Sequence, residues 1–260
     1  MRSKIQEGKK GFSEAQGEVT VCIIKLCDYE KLCQKYNGKD LLDLLEKVYD
    51  GLDNFCEQFA VQKLESAGRT YIACGGLKVC ESEVDPRLLG NHHSVRVSDF
   101  ACSAVSFVNS ITLKDGKRLK IQVGIHTGEA IVGILGDIKP QFSLIGQTLY
   151  KSVTVCRNAQ PGKILISLQC YNTLKSKVNN FSLNEQVVEI DGTMHKMYTL
   201  HKRKNLKRLD KKERLLADPN QKEKAPVDMF HNPFSPLEEQ KKAAERRNGG
   251  KYFAIAMGNI

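Results

Sequence analysis

Hydrophobic positions alternate between strand-like and helix-like spacing along the first 200 residues of this 260-residue chain. The segment "EVTVCIIKLC" at 18–27 is a nearly continuous apolar and β-branched run, which predicts a strand buried on both faces. Residues 39–60 place leucine, valine and phenylalanine at helical spacing, so we expect one long amphipathic helix there. Small residues within 61–80 predict a β-hairpin that turns at Ser66, Ala67 and Gly68.

The same alternation continues through the second half of the chain. Residues 98–111 have helical spacing, with Ser98 as the expected N-cap. "LKIQVGIHTGEAIVGILG" at 119–136 predicts two strands about a turn at Thr127 and Gly128. We further expect a strand at 142–146, a helix at 147–159, a strand within 161–167 followed by a short helix, and a hairpin at 186–200. This order predicts an α+β fold in which helices pack on a mixed sheet.

Composition changes at both ends of this patterned region. Residues 1–17 are polar and are expected to form a disordered lead before one domain at 18–201. Residues 202–260 are expected to form a basic tail, partly helical or disordered. The tail is either a solvated segment or one attracted to an anionic membrane surface or an acidic protein. Most of the net charge of +10 lies in this tail, so the domain is nearly neutral and nucleic acid is not an expected partner.

Cysteine usage and the lengths of the apolar runs indicate the compartment. The nine cysteines include no C-x-x-C pair, and we interpret them as small buried hydrophobic residues in a reducing environment. No apolar run reaches the roughly 18 residues of a membrane span. The basic N-terminus also lacks the apolar stretch of a signal peptide. We therefore expect a cytoplasmic protein that meets a membrane through a partner or a larger parent chain.

Several ordered motifs resemble the catalytic domain of the class III adenylate and guanylate cyclases. "VGIHTGEAIVGILG" and the following "FSLIG" are similar to that family's V-G-I-H-x-G-x-x-x-x-G-x-x-G and [FY]-x-x-x-G strands. "EVTVCIIKLCDYEKL" resembles its first strand, and "KLESAGRTYIACGGL" resembles its K-[IV]-[EK]-T-x-G-[DS]-x-Y-M hairpin. "PGKILIS" and "IDGTMHKMYTL" resemble its last strands. The resemblance implies a ferredoxin-like βαββαβ core that works as a dimer with composite sites across the interface.

In that family, one partner brings two aspartates that hold Mg²⁺ or Mn²⁺ on the triphosphate of GTP or ATP. The motifs place Lys25 and Arg69 at these positions, where a cation repels a divalent metal. The other partner brings base-recognition residues, which the motifs place at Glu65 and Ser143. Glutamate at this position is typical of guanylate cyclases. An ion pair of Glu65 with Lys63, Lys25 or Arg69 is the structural alternative.

The family also carries an Asn and an Arg on one helix that stabilise the transition state. These positions align with Tyr150 and Thr154, which lack the amide and the charge, respectively. Arg157 lies one helical turn beyond Thr154 and is the candidate replacement, with an ordinary surface arginine as the alternative. No catalytic residue is therefore assigned. His126 in "GIHTG" is interpreted as a structural turn residue.

The four assigned positions are replaced, whereas the hydrophobic and glycine framework is intact. "IKPQF" and the Arg69-Thr70-Tyr71 segment resemble the second half of two-domain cyclases, which lacks metal aspartates. We therefore expect a domain that is inactive alone and forms a heterodimer with an aspartate-bearing cyclase domain, Mg²⁺ or Mn²⁺ being held by that partner. A pseudoenzyme that binds nucleotide or a regulator, and an autonomous cyclase, are the alternatives. Lys25 and Arg69 would either hold a regulatory anion or form ion pairs that favour the heterodimer.

One pair of histidines stands outside these motifs' chemistry. His92 and His93 are adjacent in "NHH". The sequence offers no third ligand at a useful spacing from them, so we interpret the segment as a loop and predict no metal site on this chain.

Overall fold

The computed structural model describes residues 13–82, 84, 91–136, 141–175 and 181–203, and the structural statements below concern these residues. The expected lead falls outside them up to residue 12, and the expected tail falls outside them from residue 204. The described strands are β1 (Ser13–Leu26), β2 (Gln62–Ala67), β3 (Thr70–Gly75), β4 (Ile121–Leu135), β5 (Gln141–Ile145), β6 (Ile164–Ser167), β7 (Phe181–Ile190) and β8 (Thr193–Lys202). The described helices are α1 (Tyr29–Lys35), α2 (Gly38–Phe59), α3 (Lys78–Glu81), α4 (His93–Ser110), α5 (Gln147–Arg157) and α6 (Leu168–Lys175).

The strands form one mixed sheet in the order β2-β3-β1-β4-β6-β8-β7, and β5 pairs with the far end of β4. β4 and β6 are parallel, whereas the other neighbours are antiparallel. Alternate residues of β1 contribute to two hydrophobic clusters, as expected of a strand covered on both faces. One cluster contains residues of α2, α4 and α6, and the other contains residues of α5. The α+β prediction with a mixed sheet is confirmed.

The long amphipathic helix forms because its ends are defined locally. Asn37 caps α2 by accepting a hydrogen bond at 2.8 Å from the backbone amide of Asp40. Ala60 ends the helix in the left-handed conformation, with φ of 50°. Val48 and Leu52 are buried in the larger hydrophobic cluster, and most charged residues of α2 are exposed, whereas Asp53 is half-buried.

The expected turn at Thr127 and Gly128 is wrong, because β4 continues unbroken from Ile121 to Leu135. The glycines of this segment serve close packing against α5. A Cβ on Gly124 would stand 2.2 Å from the backbone nitrogen of Cys156, and one on Gly128 would stand 2.8 Å from Thr148 Oγ1. Only residues without a side chain allow the helix to lie so close to the strand.

Two other boundaries also differ from those expected. β1 begins at Ser13, because its first residues pair with the end of β4, with Ser13 opposite Gly133. The helix expected from Ser98 begins at His93, and His92 is its N-cap. Ser98 lies inside this helix, where its hydroxyl donates to the Ser94 carbonyl at 2.7 Å. The interpretation of "NHH" as a loop is therefore right for His92, which precedes the helix, and wrong for His93, which begins it.

The cysteines follow the expected pattern with exceptions. All nine are free thiols; six of them are buried, Cys27 and Cys80 are half-buried, and Cys33 on α1 is exposed. Burial raises the pKa of the Cys27 thiol to about 11 and that of the Cys102 thiol to about 12, so both stay protonated. Within the described residues, no helix is both long enough and apolar enough to cross a membrane.

Candidate functional site

Lys25 and Arg69 lie side by side at one end of the sheet. Lys25 is near the end of β1, and its Cα partner on β3 is Thr70, the residue after Arg69. The backbone amide of Leu26 donates to the Arg69 carbonyl at 2.9 Å, which joins the strand end to the hairpin turn. The structure thus brings together the backbones of the two residues that the sequence motifs predict at the aspartate positions, and both residues are cationic.

The hairpin that presents Arg69 is fixed from below by a polar cluster on α2. Tyr71 is fully buried, and its hydroxyl donates to Asp53 Oδ1 at 2.5 Å. Lys63 donates to the other oxygen of Asp53 at 2.8 Å. Burial raises the pKa of Tyr71 far above its usual range, so its hydroxyl remains a donor. Tyr49 also donates to the carbonyl of Gly68 in the turn, so the turn has a defined position against α2.

The carboxylates nearest in sequence to the two cations do not form a metal site. Glu30 Oε1 lies 3.6 Å from Arg69 Nη1, and both side chains are well exposed. Asp28 accepts from Lys31 at 2.7 Å, and this hydrogen bond lowers the pKa of Asp28. Mg²⁺ and Mn²⁺ prefer several carboxylate oxygens around one point. With Lys25 and Arg69 at that point, the residues present do not fit either metal.

Glu65 is exposed on β2, one residue past a bulge in the β2–β3 ladder. Among the described residues, no ion pair or hydrogen bond involves its carboxylate. Lys63 pairs with Asp53 and Arg69 lies near Glu30, so the structural alternative of a local ion pair is not formed with either of them. The carboxylate faces solvent.

Ser143 lies on β5, opposite Gly133 of β4, and is half-buried. Its neighbours Phe142 and Leu144 belong to the hydrophobic cluster on the α5 face of the sheet, against which Leu64 of β2 also packs. The segments that carry Glu65 and Ser143 therefore meet in one cluster, although they are far apart in sequence.

The three α5 positions of interest form an exposed stripe at helical spacing. Tyr150 is 66% exposed, Arg157 is exposed, and Thr154 lies between them. The Thr154 hydroxyl donates to the carbonyl of Tyr150 at 3.1 Å, so it is engaged with its own helix. Arg157 lies in the last turn, where a cation interacts favourably with the helix dipole. This stripe brings Arg157 onto the face of Thr154, as the spacing predicts.

Comparison with known proteins decides the family. The profile described as "Adenylate and Guanylate cyclase catalytic domain" matches residues 12–202, which is well over half of the chain. This chain belongs to that family. The human protein "Guanylate cyclase soluble subunit beta-2" is 29% identical over 198 residues, which cover 73% of this chain and 29% of that protein. The chain spans less than a third of the length of the first curated relatives it matches.

Solved structures show the same fold as this cyclase domain. The guanylate cyclase domain of RhGC from Catenaria anguillulae, solved in complex with GTP, superposes with a TM-score of 0.64 at 23% identity. The match covers 74% of this chain and 100% of that one. A dimeric guanylyl cyclase domain of the RhoGC fusion protein from Blastocladiella emersonii gives a TM-score of 0.62 at 24% identity, covering 74% of this chain and 99% of that one.

Close contacts between α5 and the sheet form the framework of this cyclase domain. Gly146, with φ of 132°, precedes α5, and Thr148 in the first turn donates to the Glu129 carbonyl of β4 at 2.5 Å. Together with Gly124 and Gly128, these contacts hold α5 directly on the sheet. The residues that the motifs predict at the family's catalytic positions, Lys25, Arg69, Tyr150 and Thr154, are half-buried or exposed and lie outside the three hydrophobic clusters.

His126 belongs to this framework and not to the site. It lies in the middle of β4, 4% exposed, and its Nδ1 is 2.8 Å from Ser167 Oγ. Burial lowers the pKa of His126 to about 4, so the imidazole is neutral near pH 7. It joins β4 to β6 as a structural residue.

Proposed function

We propose that this cyclase domain is a half without metal ligands, which pairs with an aspartate-bearing cyclase domain to form or regulate a guanylate cyclase. The observation that carries the proposal is the adjacency of Lys25 and Arg69 at the joined ends of β1 and the β2–β3 turn. Two positive charges replace two metal ligands in a framework that is otherwise intact. Random substitution at two unrelated positions would not be expected to replace a negative charge with a positive one at both.

A pair of identical copies would have no metal site. Each copy would bring two cations and no carboxylate pair to the composite site, so the chain alone is inactive in this proposal. The partner would hold Mg²⁺ or Mn²⁺, which neutralises charge on the triphosphate during phosphoryl transfer. This chain would contribute the residues that recognise the base, Glu65 and Ser143.

Glu65 supports GTP as the nucleotide. An ionised carboxylate accepts hydrogen bonds only, and guanine presents two adjacent N–H donors at N1 and N2. Adenine presents an acceptor at N1, which a carboxylate would repel. Because Glu65 is exposed and its carboxylate has no ion pair among the described residues, it is available to a base. Ser143 would offer a hydroxyl as donor or acceptor beside it.

A surface for the partner lies on the β4–β5 hairpin. The residues Ile131, Leu135 and Ile145 share one face of this hairpin and are 46%, 53% and 42% exposed, respectively. The opposite face is buried, with Val132 at 1% exposed. An exposed apolar face on an otherwise well-packed hairpin is typical of an interaction surface. Because side chains alternate between the two faces of a strand, Ser143 points to the same face as Ile145. The residues that recognise the base would then lie at the interface with the partner.

Tyr150 and Thr154 favour a second candidate, a pseudoenzyme. In the family this half also brings the transition-state Asn and Arg, and neither residue here can replace them. Arg157 would have to supply the charge from one turn away. Without it, the pair of domains would bind nucleotide or a regulator, and Lys25 with Arg69 would form a metal-independent anion site.

Association and base selectivity test the proposal together. The purified chain is mixed with each aspartate-bearing cyclase domain of the same organism and followed by analytical ultracentrifugation. We expect a heterodimer, weakened by Ile145→Asp but not by Leu42→Asp on the exposed face of α2. In that heterodimer, Glu65→Lys should lower affinity for a GTP analogue relative to an ATP analogue. Failure to associate with any such domain would favour the pseudoenzyme.

A further inference from the structure

A cluster of three metal-ligating side chains lies at the end of β1 remote from Lys25. Glu18 of β1, His92 and His93 place one ligand atom each within 4.8 Å of one another. His92 Nε2 is 3.8 Å from Glu18 Oε1, and His93 Nε2 is 4.0 Å from the same oxygen. The two rings stack with centroids 3.9 Å apart. The third ligand that the sequence could not supply comes from a strand 74 residues away from His92.

Hydrogen bonds orient both imidazoles so that their Nε2 atoms face the glutamate. Nδ1 of His93 lies 2.9 Å from Thr20 Oγ1, which in turn lies 2.9 Å from Thr127 Oγ1. When the Nδ1–H of His93 donates a hydrogen bond to the Thr20 hydroxyl, Nε2 is unprotonated and its lone pair is directed at Glu18. Metal-binding histidines are held in this way, with the second ring nitrogen bonded to an outer partner.

His92 has the corresponding partner in Ser94. Its Nδ1 is 2.9 Å from Ser94 Oγ and 3.3 Å from the Ser94 amide. Metal on Nε2 requires the proton on Nδ1, so His92 would donate to the Ser94 hydroxyl and give up the longer contact from the amide. Ser94 is fully buried, which fixes this partner in place.

The cluster is built into the fold at one side and open at the other. The His93 side chain is 12% exposed and that of His92 is 25% exposed, whereas that of Glu18 is 52% exposed. A Cβ on Gly76 would stand 3.0 Å from the ring of His93, so the ring lies directly on the backbone there. The half-buried imidazoles are thus preorganised, and an ion would enter from the side of Glu18.

Charge at this place also favours a cation. The β1–β4 register sets Glu129 directly opposite Glu18. Two like charges at directly opposed positions of an antiparallel pair destabilise the sheet. A divalent cation on Glu18 would offset this repulsion.

We propose that Glu18, His92 and His93 form a Zn²⁺ site that links β1 to the start of α4. Two imidazoles and one carboxylate are a donor set typical of zinc, with water in the fourth position. Imidazole nitrogens suit zinc and not Mg²⁺, so this site is distinct in chemistry from the metals of cyclase catalysis. The edge of a tetrahedral zinc site is about 3.3 Å, so each donor atom has to move by less than about 1 Å.

Zinc titration of the full chain tests the site. The protein is treated with a chelator, exchanged into buffer with excess Mg²⁺, and titrated with ZnCl₂ by calorimetry. We expect one high-affinity zinc per chain and a rise in Tm on binding, because the ion binds the native state. Glu18→Gln, which keeps the shape of the side chain, and His93→Ala should each lower the affinity at least about tenfold. His195→Ala, an exposed histidine on β8, is the matched control and should leave it unchanged.

Co²⁺ distinguishes this site from the cysteines. Co²⁺ bound by imidazole and carboxylate shows ligand-field bands without the near-ultraviolet charge-transfer band of a thiolate. We expect that spectrum in the chain and in Cys33→Ser, which removes the exposed thiol. Failure to bind zinc would overturn the proposal. So would a thiolate band, or unchanged affinity in both Glu18→Gln and His93→Ala.

Discussion

The two ends of β1 carry opposite metal chemistry. Lys25 near its C-terminal end lies beside Arg69, and both repel a divalent ion. Glu18, seven residues earlier and therefore about 23 Å away along the strand, lies within 4 Å of His92 and His93. Their side chains point to opposite faces of the sheet, since their positions differ by seven, an odd number. One end of β1 presents two cations, while the other end brings together three side chains that could hold a metal ion.

The chemistry at each end of β1 therefore depends on which residues from other elements lie beside it. Lys25 receives Arg69 because the β2–β3 turn joins the end of β1. Glu18 receives two histidines because α4 begins over the other end of the strand. Each outcome depends on which loop the topology delivers to that end, and neither can be predicted from β1 alone.

The largest expected effect is the restoration of carboxylates at the Lys25 end. Lys25→Asp combined with Arg69→Asp should raise the affinity of the chain for Mn²⁺ about 1,000-fold, because each reversed charge contributes about 2 kcal/mol near a divalent ion. The measurement is the electron paramagnetic resonance signal of unbound Mn²⁺ during titration. Lys25→Gln with Arg69→Gln is the neutral control. Equal Mn²⁺ affinity in the two double variants would show that these positions do not define a metal site.

The next effect concerns His126, which lies between the two ends opposite Val21 of β1. Its pKa is lowered to about 4 in the folded chain, against about 6.5 when unfolded. Between these values the unfolded state binds the extra proton, so the free energy of unfolding falls as the pH drops through that window. The full loss is about 3 kcal/mol, at 1.36 kcal/mol per unit of pKa.

Urea unfolding at several pH values measures this effect. His126→Gln removes the titrating group, and its unfolding free energy should depend less on pH between 6.5 and 4. Identical pH dependence in the two proteins would mean that burial does not keep this imidazole neutral.

A smaller effect isolates the outer partner of the zinc ligands. Thr20→Val keeps the side-chain shape but removes the hydroxyl that His93 Nδ1 contacts. We expect zinc affinity to fall about tenfold, the low end for loss of an outer-shell hydrogen bond. Thr70→Val, next to Arg69 at the other end, is the control and should leave zinc affinity unchanged. The two variants having equal affinity would separate His93 from the proposed site.

The smallest effect concerns the stability that Arg69 contributes. Its pair with Glu30 is exposed, and exposed ion pairs contribute at most about 1 kcal/mol. Arg69→Gln should therefore change the free energy of unfolding by less than about 1 kcal/mol, measured by urea denaturation. A loss above 2 kcal/mol would show that Arg69 is retained for the fold and would weaken its interpretation as a replaced metal ligand.

The sequence predicts most helices and strands of this domain, because the spacing of its hydrophobic residues and glycines depends on which side of each element is buried. Periodicity predicts the long helix α2, the β2–β3 hairpin and the α+β class, and the structure has all three. The turn expected at Gly128 was wrong for a physical reason. Glycine permits a turn and also permits close approach of a helix, and the sequence does not distinguish these uses.

Long-range contacts are what the sequence could not provide. Glu18 and His93 belong to motifs read separately, and no local pattern indicates that α4 begins beside β1. The sequence also could not show that the Glu65 carboxylate lacks an ion pair with Lys63 or Arg69. These two cations pair instead with Asp53 of α2 and Glu30 of α1, which are distant in sequence. Ser98 was chosen as a cap because its residue type favours that role, but the helix begins five residues earlier at His93.

Turnover of GTP tests whether this domain is inactive alone and acts only with an aspartate-bearing partner. The purified chain is assayed for cyclic GMP formation with Mn²⁺, alone and mixed with an aspartate-bearing cyclase domain that associates with it. We expect no product from the chain alone. On mixing, we expect a change in the partner's rate that depends on Glu65. Cyclic nucleotide formed by the chain alone would contradict the account, because Lys25 and Arg69 would then occupy a working catalytic site.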